Sequence, residues 1–217
     1  MTIHNGNFLY PPRPKHKVSV MTLYKYTGDT YFAQVKLNGS CGVLILNKDN
    51  HQLLNRQGNT LTLCRPLEFD KLYRGKETMV LIGEYLNKNK KGEDGESFNH
   101  KFVIFDIVAY NGKSLEGTTL QSRVDLLEKL YPSQEQRVTE QGIESHQYIY
   151  QTDVKDVYKV CNFRNTFTDL FMEITKIDVY EGLVLKRRNA KLEGCYHQNC
   201  NQSWQLKVRK ETKNYKF

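Results

Sequence analysis

The sequence is poor in cysteine, proline and long apolar runs. Its 217 residues include five cysteines, none in a C-x-x-C pair, and five prolines. Zinc ribbons and thioredoxin-like sites depend on such pairs, so we expect reduced thiols, and the spacing of Cys195, His197 and Cys200 does not favour a metal site. No apolar run approaches the roughly 18 residues of a membrane span, and Met1–Tyr10 lacks the apolar core of a secretion signal. These absences predict a cytoplasmic chain that does not bind membranes.

What the sequence does contain is typical of one folded domain with a basic surface. Hydrophobic residues make up 39% of the chain and charged residues 26%, with a mean hydropathy of -0.65. A chain of this length buries about 70% of its unfolded surface, so we expect a single domain over residues 1–217 that needs no disulfide. The formal net charge is +8, and residues 186–217 hold nine Lys or Arg against two acidic residues. This excess favours an anionic partner such as a nucleotide or nucleic acid.

Hydrophobic periodicity predicts many strands and few helices. Tyr31–Asn38 alternates, so Lys36 faces away from Val35 and Leu37. A helix is predicted over Leu120–Tyr131, opened by a capping box of Thr118 and Gln121. Further strands are predicted at 42–46, 61–63, 79–85, 101–109, 180–186 and 205–209, a short helix at 66–73, and one or two helices within 154–174. The pattern predicts an α+β fold of antiparallel sheets with flanking helices.

Three segments are set apart from these strands and helices, namely an N-terminal arm that lies on the fold or leads into it, a C-terminal tail and one internal loop. Three of the five prolines fall between Tyr10 and Lys15, which predicts an extended N-terminal arm over about residues 1–17. Residues after Arg209 form a short basic tail, about 210–217. The stretch Asn87–Glu96 has no apolar side chain to bury, so we predict an exposed and mobile loop.

Charged side chains are placed beside several of the predicted strands. Alternation puts Gln205, Lys207 and Arg209 on one face of a strand, opposite apolar neighbours, and this face is suited to an anion. On an ideal strand, the side chains of Glu181 and Lys186 would point to opposite faces. Both reach one cleft only if the glycine after Glu181 marks a bend or bulge.

Six short motifs occur in an order that resembles the covalent nucleotidyltransferase superfamily of ATP-dependent DNA ligases, RNA ligases and mRNA capping enzymes. Lys36-Leu37-Asn38-Gly39 resembles the nucleophile motif Lys-x-Asp-Gly of that family, and Glu181–Lys186 resembles its Glu-Gly-x-x-x-Lys motif. The other four similar segments are Asn55–Gly58, Ile82–Glu84, Phe102–Asp106 and Trp204–Arg209. Any one of these strings occurs by chance in many proteins, whereas six in order are a strong indication.

The resemblance implies a nucleotidyltransferase (adenylation) domain that uses ATP with Mg²⁺ or Mn²⁺. Lys36 is then the catalytic nucleophile. Arg56 and Glu84 would hold the ribose and its surroundings, and Phe105 would stack on the base. The implied nucleotide-binding residues are Val35, Asn38, Gly39, Arg56, Glu84, Phe105, Glu181, Lys186, Lys207 and Arg209, with Glu84 and Glu181 also as metal ligands.

The chemistry of these residue types supports the assignment independently. A lysine attacks an α-phosphate only as the neutral amine, although its ordinary pKa is about 10.4. Nearby cations such as Lys186, Lys207 and Arg209 favour that neutral form. The same cations can neutralise charge that develops on the α-phosphate and on the leaving pyrophosphate.

Two positions depart from the family pattern, which leaves several functions open. Asn38 stands where the family usually has Asp, and Cys41 where many members have Arg. The eight residues after Arg209 cannot form the OB-fold domain that most DNA ligases and capping enzymes carry, so none is expected. The leading prediction is a monomeric ATP-dependent DNA ligase module acting on nicked duplex DNA. The alternatives are an RNA ligase, a GTP-dependent capping guanylyltransferase, or a nucleic-acid-binding module with weak catalysis, and the chain could be phage- or virus-encoded and act in a host cytoplasm.

Overall fold

The computed structural model describes residues 8–133, 147–164, 166–198 and 200–211, together with the backbone of two short strands between them. The helices are α1 (Leu120–Leu130) and α2 (Phe167–Ile174), with 3-10 helices at Val20–Lys25 and Phe69–Leu72. The strands are β1 (Arg13–Lys17), β2 (Tyr31–Leu37), β3 (Ser40–Leu46), β4 (His51–Asn55), β5 (Met79–Leu86), β6 (Lys101–Tyr110), β7 (Lys113–Ser114), β8 (Val138–Thr139), β9 (Gly142–Ile143), β10 (Ile149–Gln151), β11 (Val157–Val160), β12 (Tyr180–Arg187) and β13 (Asn201–Arg209).

Two β-sheets organise the described part of the chain. The larger sheet has the strand order β10-β11-β6-β5-β3-β4, with β7 beside β6, and the smaller has the order β1-β13-β12-β2. Most pairs are antiparallel, and β1–β13 and β6–β11 are parallel. This architecture confirms the predicted α+β fold. The turn between β2 and β3 carries the chain from one sheet to the other.

The larger sheet is buried on both faces, as the nearly continuous apolar sequence of β5 suggests. Met79 and Leu81 pack on one side with Phe69 and α1, and Val80 and Ile82 pack on the other with β3. The smaller sheet has one apolar face, which α2 covers. Its other face carries the polar side chains of β2, β12 and β13, and it turns toward the larger sheet.

Two predictions of secondary structure are wrong, each for a physical reason. The strand next to the Asn55–Asn59 turn is β4, which precedes the turn. Residues 61–63, predicted as a strand, form none, because only the N–H of Leu61 pairs back, with Leu53 O at 3.0 Å. The predicted helical region 154–174 is helical only in α2. Its first part forms β11, because pairing with β6 overrides a weak helical pattern.

The helix α1 is confirmed, although its cap is one residue later than predicted. Thr119, and not Thr118, accepts the hydrogen bond from Ser122 N, at 3.2 Å. The side chain of Gln121 donates to Asp125 instead of reaching back to a cap. The short helix predicted at 66–73 is a single 3-10 turn, Phe69–Leu72.

The loop Asn87–Glu96 is tied down more firmly than its sequence suggests. Lys90 Nζ lies 2.7 Å from Asp178 Oδ1. The Glu93 carboxylate accepts hydrogen bonds from Tyr148 N, at 3.1 Å, and from the hydroxyl of Tyr180. Anchors in distant parts of the chain therefore hold a segment that has no apolar side chain of its own. Within the described ranges, no helix has the length and apolar character needed to cross a membrane.

Candidate active site

A cleft of about 570 Å³ lies between the polar face of the smaller sheet and the edge of the larger one. We call it the intersheet cleft. The structure brings all of the sequence-predicted site residues to its wall: Val35, Lys36, Asn38, Gly39, Arg56, Glu84, Phe105, Glu181, Lys186, Lys207 and Arg209. They come from five strands and from the turns after β2 and β4, so only the tertiary fold assembles them.

Lys36 lies near the end of β2 with its amine held by a carboxylate. Its Nζ is 2.5 Å from Glu181 Oε2 and 3.3 Å from Leu37 O. The same Glu181 oxygen is 3.7 Å from Arg209 Nη2. The side chains of Lys36 and Glu181 remain 18% and 25% exposed, so a ligand in the cleft can reach both.

A bulge at Gly182 explains how the side chains of Glu181 and Lys186 come to face the same side of β12. The register of β12 against β2 shifts between Tyr180 and Gly182, and Gly182 has φ +143°. A Cβ there would lie 2.0 Å from Val208 O, so only glycine fits. Because the extra residue reverses the alternation, Glu181 and Lys186 both face the intersheet cleft, as the sequence required.

Glu84 stands opposite Lys36, on β5. One of its carboxylate oxygens accepts a hydrogen bond from Gly39 N at 2.9 Å, which fixes the turn that follows the nucleophile motif. Burial raises the pKa of Glu84 to about 7, while the charge of Lys36 and the Gly39 hydrogen bond oppose the rise. Near neutral pH this carboxyl group is therefore only partly ionised.

Lys186 and Phe105 form the deepest charged part of the intersheet cleft. Lys186 is 2% exposed. Its Nζ donates to Phe105 O at 3.3 Å and lies 4.9 Å from the centre of the Phe105 ring. Burial lowers the pKa of Lys186 to about 8, and Asp106 opposes this effect. Phe105 is only half-buried, unlike its strand neighbours Val103 and Ile107, so it lines the intersheet cleft while also packing against the core.

A buried ion pair supports this wall from behind. Arg123 on α1 donates from Nε to Asp106 Oδ1 at 2.9 Å and from Nη2 to Asp106 Oδ2 at 3.2 Å. Both side chains are 1% exposed. Such a two-point contact fixes the backbone of β6 next to Phe105.

The structure adds residues that the sequence analysis did not select. Gln34, 2% exposed, donates to Asn162 Oδ1 at 2.8 Å, and its side chain lies on the same face of β2 as Lys36. The alternation of side chains along β2 could have identified Gln34 from the sequence. Arg13 reaches the intersheet cleft from β1, outside the six motif segments. The wall also contains Gln205, whose buried Nε2 has no hydrogen-bond partner among the described residues.

The balance of charge in the intersheet cleft indicates an anionic ligand. Its lining includes six cationic side chains and two carboxylates, those of Glu84 and Glu181. Mg²⁺ is usually held by one or two carboxylates and by phosphate oxygens of a substrate, so this pair fits such an ion. Over the described ranges, no three His, Cys, Asp or Glu side chains are grouped to hold a metal on their own.

Comparisons with known proteins identify the fold. No protein-family profile and no curated protein matches the sequence. Among solved structures, the ligase domain of LigD from M. tuberculosis matches with TM-score 0.62 and 18% identity, over 93% of this chain and 59% of that one. A mycobacterial DNA ligase D complexed with ATP and MES matches with TM-score 0.59 and 17% identity, over 93% of this chain and 60% of that one. A Lig E DNA ligase matches with TM-score 0.55 and 16% identity, over 94% of this chain and 69% of that one.

The chain therefore has the nucleotidyltransferase fold of ATP-dependent DNA ligase domains, as the motif resemblance implied. It spans about 60% of the length of the two ligase D structures.

Proposed function

We propose that this chain is the adenylation module of an ATP-dependent polynucleotide ligase that seals nicks in duplex DNA. The observation that carries the proposal is the position of Lys36. Its amine lies 2.5 Å from a carboxylate, inside a cleft that otherwise carries mainly positive charge. A lysine amine, a proton acceptor and several phosphate-binding cations are the groups that nucleotidyl transfer to lysine requires.

In the first step, Lys36 Nζ attacks the α-phosphorus of ATP. The bond to the bridging oxygen breaks, pyrophosphate leaves, and AMP stays on Nζ as a phosphoramidate. The ammonium group must lose a proton before it attacks, and Glu181 Oε2 is in place to accept that proton. Lys186, Lys207 and Arg209, on the same wall, would stabilise the charge on the α-phosphate and on the departing pyrophosphate.

Two further transfers complete the proposed reaction at the same position. The 5′-phosphate of a nicked strand attacks the lysyl-AMP and receives the AMP, which frees Lys36. The neighbouring 3′-hydroxyl then attacks that activated phosphate, closes the strand and releases AMP. Both steps need a cation-lined cleft next to Lys36, which fits the mostly positive lining.

The nucleotide and its metal have residues suited to hold them. Phe105 offers a half-exposed ring face for stacking on a base. Glu84 and Glu181 would hold Mg²⁺, which when bound supplies positive charge to the phosphate oxygens. Asn38 supplies an amide in place of the usual carboxylate. Its Oδ1 lies 3.5 Å from Lys88 Nζ. Because an amide is uncharged, this position brings no negative charge to the site.

Intact-mass spectrometry after incubation with Mg²⁺ and ATP, GTP or NAD in separate samples tests the proposal. We expect an added mass of one AMP from ATP, and its complete loss in Lys36→Ala. Lys48→Ala is the matched control, because Lys48 is an exposed lysine outside the intersheet cleft. An adduct that persists in Lys36→Ala overturns the assignment of the nucleophile.

The nucleotide that forms the adduct separates the alternatives. A GMP adduct from GTP would replace the ligase proposal with a capping guanylyltransferase. If no adduct forms, a nick that already carries 5′-AMP tests the last step alone. Sealing of that nick keeps the ligase proposal, and tight binding without sealing indicates a binding module. Nicked DNA and nicked RNA, compared in parallel, decide the substrate.

A further inference from the structure

Arg13 stands out among the residues of the intersheet cleft because β1 delivers it from outside the six motif segments. Its side chain is half-buried and lines the intersheet cleft beside Pro12 and Pro14. Among the residues that the structure describes, none accepts a hydrogen bond from its guanidinium group or forms an ion pair with it. A guanidinium group has five donors and is always charged, so in a half-buried position it favours an anionic ligand.

The backbone holds Arg13 in place. Arg13 N donates to Cys200 O at 2.9 Å, and β1 pairs with β13 in parallel, with Arg13 opposite Asn201. Pro12 and Pro14 flank Arg13, and because each has a fixed φ angle, this segment can adopt fewer conformations. The position of the guanidinium group is therefore largely set before any ligand arrives.

A second arginine faces the same part of the intersheet cleft. Burial, assisted by Glu84, raises the pKa of the Cys41 thiol to about 12, and the positive charges of Arg56 and Arg13 oppose this rise. Arg13, Cys41 and Arg56 all line the intersheet cleft, and these two arginines are the cations that act most strongly on the thiol. Arg56, which follows β4, is exposed and, within the described ranges, likewise has no carboxylate partner. Because its pKa is raised, the Cys41 thiol adds no charge of its own to the intersheet cleft near neutral pH.

We propose that Arg13 and Arg56 together form a phosphate-binding clamp beside Cys41, with Arg13 contributed by the N-terminal strand. This inference rests on the proposed function for the identity of the ligand. The shared chemistry is a phosphate group with two or more free oxygens. Two sources fit it, the triphosphate of the nucleotide and the 5′-phosphate of a nicked strand.

Two binding measurements, made without nucleotide so that no reaction occurs, distinguish the sources. Calorimetric titration with pyrophosphate represents the nucleotide. Fluorescence anisotropy with a nicked duplex, carrying either a 5′-phosphate or a 5′-hydroxyl at the nick, represents the strand. Arg13→Ala should weaken at least one of these phosphate-dependent affinities about tenfold or more, the loss expected for a charge-assisted contact. The probe that loses affinity identifies the source.

Matched variants guard against a merely structural effect. Lys15→Ala removes an exposed cation from the same strand and outside the intersheet cleft, and it should bind both probes as the wild type does. Arg13→Lys keeps the charge and loses the planar fork, so it should fall between the wild type and Arg13→Ala. If Arg13→Ala melts at a lower temperature than the wild type, the measurements are made with Arg13→Gln in its place.

Equal affinities of the wild type and Arg13→Ala for both probes overturn the clamp. This outcome is separate from the proposed function, which depends on the Lys36 adduct and not on these affinities. A wild-type chain that forms no adduct and does not seal a nick carrying 5′-AMP counts against the proposed ligase, while the effect of Arg13 on phosphate binding is still decided by the two titrations.

Discussion

At the scale of single residues, the intersheet cleft is defined by charged groups whose environments differ sharply. Lys36 has a carboxylate at 2.5 Å and stays partly exposed, whereas Lys186 is 2% exposed and contacts a carbonyl oxygen and an aromatic ring. Burial lowers the pKa of Lys186 to about 8 and raises that of Glu84 to about 7. These two lysines thus have different surroundings, and Lys36 is the one of the pair that contacts a carboxylate and is the more exposed.

Glu84 makes the stability of the protein dependent on pH. Its pKa is about 7 in the folded chain against an ordinary 4.5, so the folded state binds more protons between these values. Stability from this group is present at low pH and is lost as pH rises through about 7, and the shift corresponds to roughly 1–3 kcal/mol. Glu84→Gln keeps the acceptor for Gly39 N and does not titrate.

Urea denaturation of both proteins at about pH 5 and about pH 8 measures this effect. The wild type should lose free energy of unfolding relative to Glu84→Gln as pH rises. Glu96→Gln, a change at an exposed carboxylate, should behave as the wild type. Parallel pH profiles for the wild type and Glu84→Gln would show that Glu84 titrates normally.

At the scale of elements, β12 has the most demanding local structure. Its bulge puts Glu181 beside Lys36 while Leu183 and Leu185 stay in the core. Gly182 allows this because its φ is +143° and because Val208 O occupies the place of a Cβ. The geometry of the proposed proton acceptor therefore depends on one residue without a side chain.

Gly182→Ala tests this dependence. The added Cβ would meet Val208 O at 2.0 Å, so β12 and β13 must separate locally. We expect a loss of at least about 2 kcal/mol in the free energy of unfolding, together with a reduced rate of adduct formation. Gly95→Ala is the control, because Gly95 has φ +79° with no atom within 4 Å of its Cβ position. It should cost only about 1 kcal/mol, and an equal cost for both variants would exclude the close contact as the cause.

At the scale of the whole molecule, positive charge is both abundant and unevenly placed. The formal net charge is +8, and six cations line the intersheet cleft. A nucleic acid bound over the cleft would release counterions from its phosphates, so its affinity must fall with salt.

Binding of a nicked duplex at increasing salt measures this contribution. If about four phosphates are contacted, the affinity should fall about 100-fold between roughly 50 and 200 mM salt. Arg13→Ala should give a shallower slope than Lys48→Ala, since Lys48 lies outside the intersheet cleft. An affinity that does not change with salt would contradict binding of nucleic acid through these cations.

The amino-acid pattern was sufficient to predict the strands around the intersheet cleft, helix α1 and many of the residues that line the cleft. Alternation in β2 and β13 places Lys36, Lys207 and Arg209 on polar faces, because successive side chains in a strand point in opposite directions. Glu181 and Lys186 could share that face only through a bulge, and the glycine between them met the condition.

The contacts between residues that are distant in the sequence depend on how the strands and loops pack, so no single segment predicts them. β11 replaced a predicted helix because β6 offered an edge for pairing, and the loop Asn87–Glu96 is held by Tyr148 and Asp178 from later in the chain. Arg13 reached the intersheet cleft because β1 pairs with β13 across nearly the whole length of the sequence. Periodicity indicates which residues share a face of one helix or strand. Contacts between distant residues depend on how separate elements pack against each other, and a local sequence pattern carries no information about that packing.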